Sequence, residues 1–264
     1  VGDPRRRVES GGTRYGSGVW APSLRYHNKL FYAYWATPDE GVFVSTAARA
    51  EGPWSAPVQV IAKPGLEDPC PIWDDDGTAW LIHSRVGAGP LILHRMSADG
   101  MSVLDEGELI VEDHKNLPVL EGPKFYKRGG YYYIFAPIGS VEKGPQVVMR
   151  SRNIRGPYEW RVVLEQDDTK LQGPHQGGYV ETPSGEGWFM HFNSTGAFGR
   201  IVHLQPVKWV DDWPVIGQAI PGKTSGRPFS NYAMPDTGYR GAKPVMQASD
   251  DFSAANLGLQ WQWN

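Results

Sequence analysis

Four segments of this chain repeat one pattern at a period of about fifty residues, and that period constrains the fold more than any other feature. They are WAPSLRYHNKLFYAYW from Trp20, DPCPIWDDDGTAWLIH from Asp68, EGPKFYKRGGYYYIFA from Glu121 and HQGGYVETPSGEGWFMHF from His175. Each reads as a short strand, a polar or glycine-containing turn, and a second strand dense in aromatic residues. Aligned on their first strands, they lead with Ala21, Asp68, Glu121 and His175, spaced 47, 53 and 54 residues apart. A second, weaker repeat follows the hairpins. VFVSTAARAEGPWS (42–55) resembles VVMRSRNIRGPYEW (147–160), and Gly52-Pro53-Trp54 matches Gly156-Pro157-Tyr158. LILHRMSADGMSV (91–103) and RIVHLQPVKWV (200–210) occupy the same place after the second and fourth hairpins. Each unit is therefore hairpin, loop, hairpin: four strands in about fifty residues, as in a blade of a β-propeller. An all-β sandwich is the alternative. The propeller explains period, aromatic placement and turn placement together.

In a propeller the innermost strand of each blade lines a central channel. The leading residues of the repeats then converge at one mouth of it, so Asp68, Glu121 and His175 are expected to meet. The pattern fades after Gly217. Residues 1–217 are expected to form the propeller part. Residues 218–264 are expected to form a linker and the first strand of another element, with Trp261 and Trp263 seeking a surface to cover.

Composition excludes several classes of partner. The formal net charge of −3 favours neither nucleic acid nor an anionic membrane, and the Arg5-Arg6-Arg7 cluster is short and terminal. No run of about 18 apolar residues suggests a membrane-spanning helix. A single cysteine, Cys70, rules out an intrachain disulfide and reads as a small buried hydrophobe. Asp74-Asp75-Asp76-Gly77 lacks the spacing and distal glutamate of an EF-hand loop and reads as a turn.

Two carboxylates and a histidine facing one channel suit glycoside hydrolysis. That reaction needs one group to protonate the leaving oxygen and another to activate water. Glu121 at a blade mouth beside Gly122-Pro123 suits the acid role better than a purely structural carboxylate, while His175 is either a metal neighbour or a packed histidine.

The motifs EGPKFYKRGGYYYIFAP, DPCPIWDDDGTAWL, YGSGVWAPSLRYHNKLFYAYW, GPHQGGYVET and GRIVHLQPVKW together resemble glycoside hydrolase family 43 over residues 10–217. The resemblance implies a five-bladed propeller, about four of whose blades are here, and a C-terminal β-sandwich whose beginning FSAANLGLQWQWN resembles. It implies a β-xylosidase or α-L-arabinofuranosidase acting by inversion on pentose-containing oligo- or polysaccharides. Glu121 matches the general acid, and Asp68 the aspartate that tunes and orients it. Trp20 matches an aromatic wall of the sugar pocket, and Arg200 an arginine reaching the sugar hydroxyls. His175 matches a channel histidine beside the substrate and close to a bound calcium or water cluster; no cofactor is required beyond such a structural calcium. The family's general base lies in a D-P-S motif on its first blade. Here Asp3-Pro4 is followed by Arg5-Arg6-Arg7 instead of a strand, so the base is expected to be missing from this chain. A non-catalytic carbohydrate-binding propeller is the rival reading. Open blade edges would favour a homo-oligomer, and a secreted or periplasmic location is favoured over the cytoplasm.

Overall fold

The computed structural model describes residues 17–87, 89–241 and 250–255. Strands pair into four antiparallel sheets, each an up-and-down blade. Blade I holds β1 (Trp20–His27), β2 (Leu30–Thr37), β3 (Gly41–Ala47) and β4 (Val58–Ile61). Blade II holds β5 (Leu66–Trp73), β6 (Ala79–Arg85), β7 (Leu91–Met96) and β8 (Glu108–Val111). Blade III holds β9 (Lys124–Arg128), β10 (Tyr131–Pro137), β11 (Gln146–Ser151) and β12 (Glu159–Leu164). Blade IV holds β13 (His175–Glu181), β14 (Gly187–Ser194), β15 (Arg200–Val210) and β16 (Trp213–Ile216). These are the four repeats expected from the sequence, each hairpin forming the inner half of its blade.

Turn chemistry sets the strand lengths. Asn28-Lys29, Gly129-Gly130 and Asp211-Asp212 all hold positive φ at both central positions. That is the geometry of a two-residue hairpin whose twist matches its flanking strands. The aromatic second strands then alternate, one face packing onto the blade before and the other onto the blade after. Tyr32, Tyr34, Val42 and Val44 of blade I pack with Leu66, Leu81 and Met96 of blade II. Ile72, Ile82, Leu91 and Leu93 of blade II pack with Phe125, Ile134 and Met149 of blade III. Tyr133, Phe135, Val148 and Val163 of blade III pack with Phe189, Val207 and Ile216 of blade IV.

The outward faces of the first and last blades are apolar as well. Leu24 and Tyr26 on blade I and Val180, Met190, Val202 and Leu204 on blade IV are all exposed. In both cases the exposed residues share one side of their sheet.

The inner strands share one irregularity. Three carry a bulge, between Trp20 and Ser23 in β1, Glu67 and Cys70 in β5, and His175 and Gly178 in β13. On blade III, Glu121 donates its N–H to the Pro137 carbonyl at 3.4 Å, three residues before Lys124 pairs with Phe135. The equivalent ladder positions are therefore Trp20, Glu67, Glu121 and His175. This corrects the sequence alignment, which placed Ala21 and Asp68 at that level; both lie one residue later, inside the bulge.

After Gly217, part of the segment expected to be a linker adds to the propeller. β17 (Gln218–Ala219) and β18 (Gly226–Arg227) return to the outer edge of blade III, where Gly226 pairs with Leu164. They cover an edge that would otherwise be free to pair with another chain. Phe229 donates its N–H to the Gln205 side chain at 2.8 Å, keeping the following residues on blade IV. The sandwich strand expected around Trp261 and Trp263 lies outside the described residues.

Candidate active site

The start of β9 and the starts of β5 and β13 converge at one end of the channel. Glu121 stands in the loop entering β9, half-buried, and its Oε1 lies 2.8 Å from His175 Nε2. His175 is fully buried, and its Nδ1 has no partner among the described residues. When Glu121 is ionised, Nε2–H donates to it; when Glu121 is protonated, its hydroxyl donates to Nε2.

Asp68 sits inside the β5 bulge with φ +56 and is almost wholly buried. A non-glycine residue in the left-handed region is strained unless its surroundings hold it there. Here they do: Asp68 Oδ2 accepts the Gly122 N–H at 2.8 Å, and the Gln176 side chain also bonds to it. Asp68 thus fixes the peptide immediately after Glu121. Gly122 itself has φ +60, and a Cβ there would lie 2.7 Å from Gln176 Cγ. Only glycine lets the Glu121 loop pass so close to β13. Burial raises Asp68, opposed first by the Lys124 ammonium and then by the Gly122 N–H.

Glu67 is the residue the sequence reading passed over. Its oxygens, those of Asp68 and those of Glu121 come within 4.8 Å of one another. It is buried, and its hydrogen bond from Ser84 Oγ is long at 3.4 Å. Burial, and then the charges of Asp68 and Glu121, push Glu67 up to about 7. Its signal lay in ladder counting. Aligning Asp68-Pro69 with Glu121-Gly122-Pro123 hid the match of Glu67 to Glu121.

Two cations lie beside this trio, Lys124 buried and Arg25 half-buried. Lys124, next in the Glu121 motif, is buried with no hydrogen-bond partner among the described residues, and desolvation lowers its affinity for a proton while Cys70 and Asp68 raise it. Arg25 on β1 donates from Nη2 to Cys70 Sγ at 2.9 Å and to the Phe125 carbonyl at 3.2 Å. Phe125 N–H donates to the same sulfur at 3.2 Å. Cys70 is therefore more than a buried hydrophobe: its sulfur ties together the inner strands of blades I, II and III.

The other expected residues stand as follows. Arg200 begins β15, with its guanidinium over the Phe192 ring at 4.8 Å, and Phe192 lies against His175 with ring centroids 5.7 Å apart. It therefore belongs to the same end of blade IV. Trp20 is half-buried at the ladder level of Glu67, Glu121 and His175. A calcium ion takes six to eight oxygen ligands. Among the described residues His175 keeps one free nitrogen, Nδ1, while its Nε2 is bonded to the Glu121 carboxylate. Asp74-Asp75-Asp76-Gly77 is a turn, closed by the Asp74 N–H to the Thr78 carbonyl, and the Asp74 carboxylate bonds Lys127 and Tyr132 of blade III.

Comparison with known proteins agrees with this architecture. The family model described as glycosyl hydrolases family 43 matches residues 3–214. A Xylanibacter ruminicola protein named "Putative beta-xylosidase" is 50% identical over 251 residues, covering 95% of this chain and 47% of its own length. A Bacteroides ovatus non-reducing end alpha-L-arabinofuranosidase is 29% identical, covering 92% of this chain and 47% of its own. The crystal structure of a Bacillus licheniformis GH43 protein superimposes with a TM-score of 0.76 at 28% identity, covering 91% of this chain and 49% of that one. The chain spans about half the length of the curated relatives it matches.

Proposed function

The chain belongs to glycosyl hydrolases family 43, and from that membership and the geometry around Glu121 we propose that it carries the acid half of an inverting glycosidase. Its substrates are xylose- or arabinose-containing oligo- and polysaccharides, cut from the end as by a β-xylosidase or α-L-arabinofuranosidase. One observation supports this above the rest. Of the three clustered carboxylates, Glu121 alone is more than slightly exposed, and partners on two other blades fix it and its next peptide, through His175 and Asp68.

Glu121 is the general acid, donating its proton to the glycosidic oxygen as the bond to the sugar breaks. Asp68 holds the Glu121–Gly122 peptide and, with Glu121, makes a like-charged pair that favours a retained proton. His175 orients the acid. Arg200 and Trp20 supply sugar contacts, a guanidinium for hydroxyls and a flat ring for an apolar sugar face.

An inverting base stands roughly 6.5–9.5 Å from the acid, leaving room for a water. Glu67 and Asp68 come within 4.8 Å of Glu121 and are buried, so neither has that room. The water-activating carboxylate is therefore a residue outside this trio.

The test is turnover of 4-nitrophenyl β-D-xyloside, 4-nitrophenyl α-L-arabinofuranoside and xylobiose by the chain and by Glu121→Gln. Loss of an acid lowers the rate about 10²–10⁴-fold, with the larger loss on xylobiose, whose leaving group needs the proton more. Equal background rates for both proteins, with sugar binding retained, would instead make this a carbohydrate-binding propeller.

A further inference from the structure

Glu67 occupies on blade II the ladder position that Glu121 occupies on blade III. Every element packed around it contributes to its electrostatic setting. Asp68 adjoins it on β5, Ser84 faces it from β6, and Glu121 comes from the loop before β9. Lys124 on β9 lies beside Asp68, while β13 brings His175 to Glu121 and Gln176 to Asp68. Arg25 on β1 is committed to Cys70 and the Phe125 carbonyl. Among the described residues, three carboxyls with one oxygen each within 4.8 Å of the others thus share one uncommitted fixed cation, Lys124. Like charges so close do not all ionise together, and their protons belong to the set instead of to one residue.

We propose that Glu67 is a positioning residue for the acid, holding a proton in common with Glu121, so that the pair delivers the proton to the leaving oxygen. This rests on the reading of Glu121 as the general acid. The pair gives one proton to the glycosidic oxygen while the bonding electrons of the C–O bond stay on that oxygen. A water molecule, giving a proton to the base outside this trio, forms the new bond to the sugar carbon, and the pair regains its proton from solvent at Glu121, its partly exposed member. The elevation of Glu67 to about 7 by burial and its two acidic neighbours supports the assignment.

Two measurements on the full chain test it. The first is ¹³C NMR titration of the side-chain carboxyls, which needs no turnover. One glutamate resonance should titrate near neutral pH and vanish in Glu67→Gln. Its midpoint should fall by about one pH unit in Glu121→Gln, because a like charge is gone, and Glu67→Asp should keep a neutral-range titration. The second is the pH profile of xylobiose hydrolysis. Glu67→Gln should move the alkaline limb down by about one pH unit with KM unchanged, and Glu67→Asp should restore it. Unaltered thermal unfolding of Glu67→Gln at pH 8 separates this from loss of fold. The proposal is overturned by a Glu67 midpoint that Glu121→Gln leaves in place, or by an alkaline limb indifferent to Glu67→Gln. A chain that hydrolyses nothing but shows the coupled midpoint keeps the proton sharing and sinks the glycosidase reading. A hydrolysing chain with uncoupled midpoints does the reverse.

Discussion

Replacing Gly122 with alanine tests how tightly the acid loop is held. Two contributions add. The backbone at φ +60 is unfavourable for an L-residue by about 1–2 kcal/mol. The new Cβ would lie 2.7 Å from Gln176 Cγ and 2.9 Å from its Nε2, so the Gln176 side chain must leave. Its hydrogen bond to the buried Asp68 carboxylate goes with it, a loss of about 1.5–3 kcal/mol for a bond to a charged group. The sum is about 2.5–5 kcal/mol, read from urea unfolding with the slope unchanged. Gly65→Ala is the control. Gly65 has φ +76 but nothing within 4 Å of a Cβ, so only the backbone part, about 1–2 kcal/mol, applies. Adding Gln176→Ala to Gly122→Ala removes the collision, and the double variant should be less destabilised than the two single changes summed. If Gly122→Ala destabilises no more than Gly65→Ala, or the changes simply add, the acid loop is not clamped against β13 and the reasoning fails.

Burial pushes both His83 and His191 down to about 4 from 6.5, the latter also under the influence of His203. The unfolded chain therefore binds protons that the folded one refuses: stability is full above pH 6.5, declines as pH falls, and levels off below 4. At pH 5 the two together should lower stability by about 4 kcal/mol relative to pH 7.5. His191→Phe should remove about half of that slope in urea unfolding, and a flat stability between those pH values would contradict the assignment. Cys70→Ala strands the Phe125 N–H and takes one acceptor from the Arg25 guanidinium; we expect a loss of about 1–3 kcal/mol by thermal unfolding, and Cys70→Ser, which keeps an acceptor, should lose less. Gly177→Ala would set a Cβ 2.0 Å from the Met190 carbonyl oxygen and should prevent soluble folded expression. Recovery of a native circular dichroism spectrum would show that the β13 bulge tolerates it.

Much of the fold is legible in the residues. Alternating aromatic strands and Gly129-Gly130 or Asn28-Lys29 turns declare hairpins, because local chemistry fixes them. The period declares blades, because one hairpin pair buries nothing alone. Glu121, Asp68 and His175 could be brought together by that argument, since each leads an inner strand. What the sequence concealed is set by contacts distant along the chain. A bulge shifts the ladder by one residue without any local mark, so aligning the repeats puts Asp68 at the level where Glu67 stands. The return of Gly226 to Leu164 hangs on a single parallel pairing, and no periodicity announces it. The second role of Cys70 depends on Arg25 and Phe125, 45 and 55 residues away.

The shared bulge has a consequence for how such a ring can be altered. One ladder position recurs at the same level on all four blades, filled by tryptophan, glutamate, glutamate and histidine, and the residue after it is left-handed on blades II, III and IV. What each position does is then decided by its occupant and by its place around the ring. A change of chemistry needs one side chain exchanged, not a new loop built. The Trp20 position is the natural place to try it. A carboxylate installed there would stand at the same ladder level as Glu121 but two blades away.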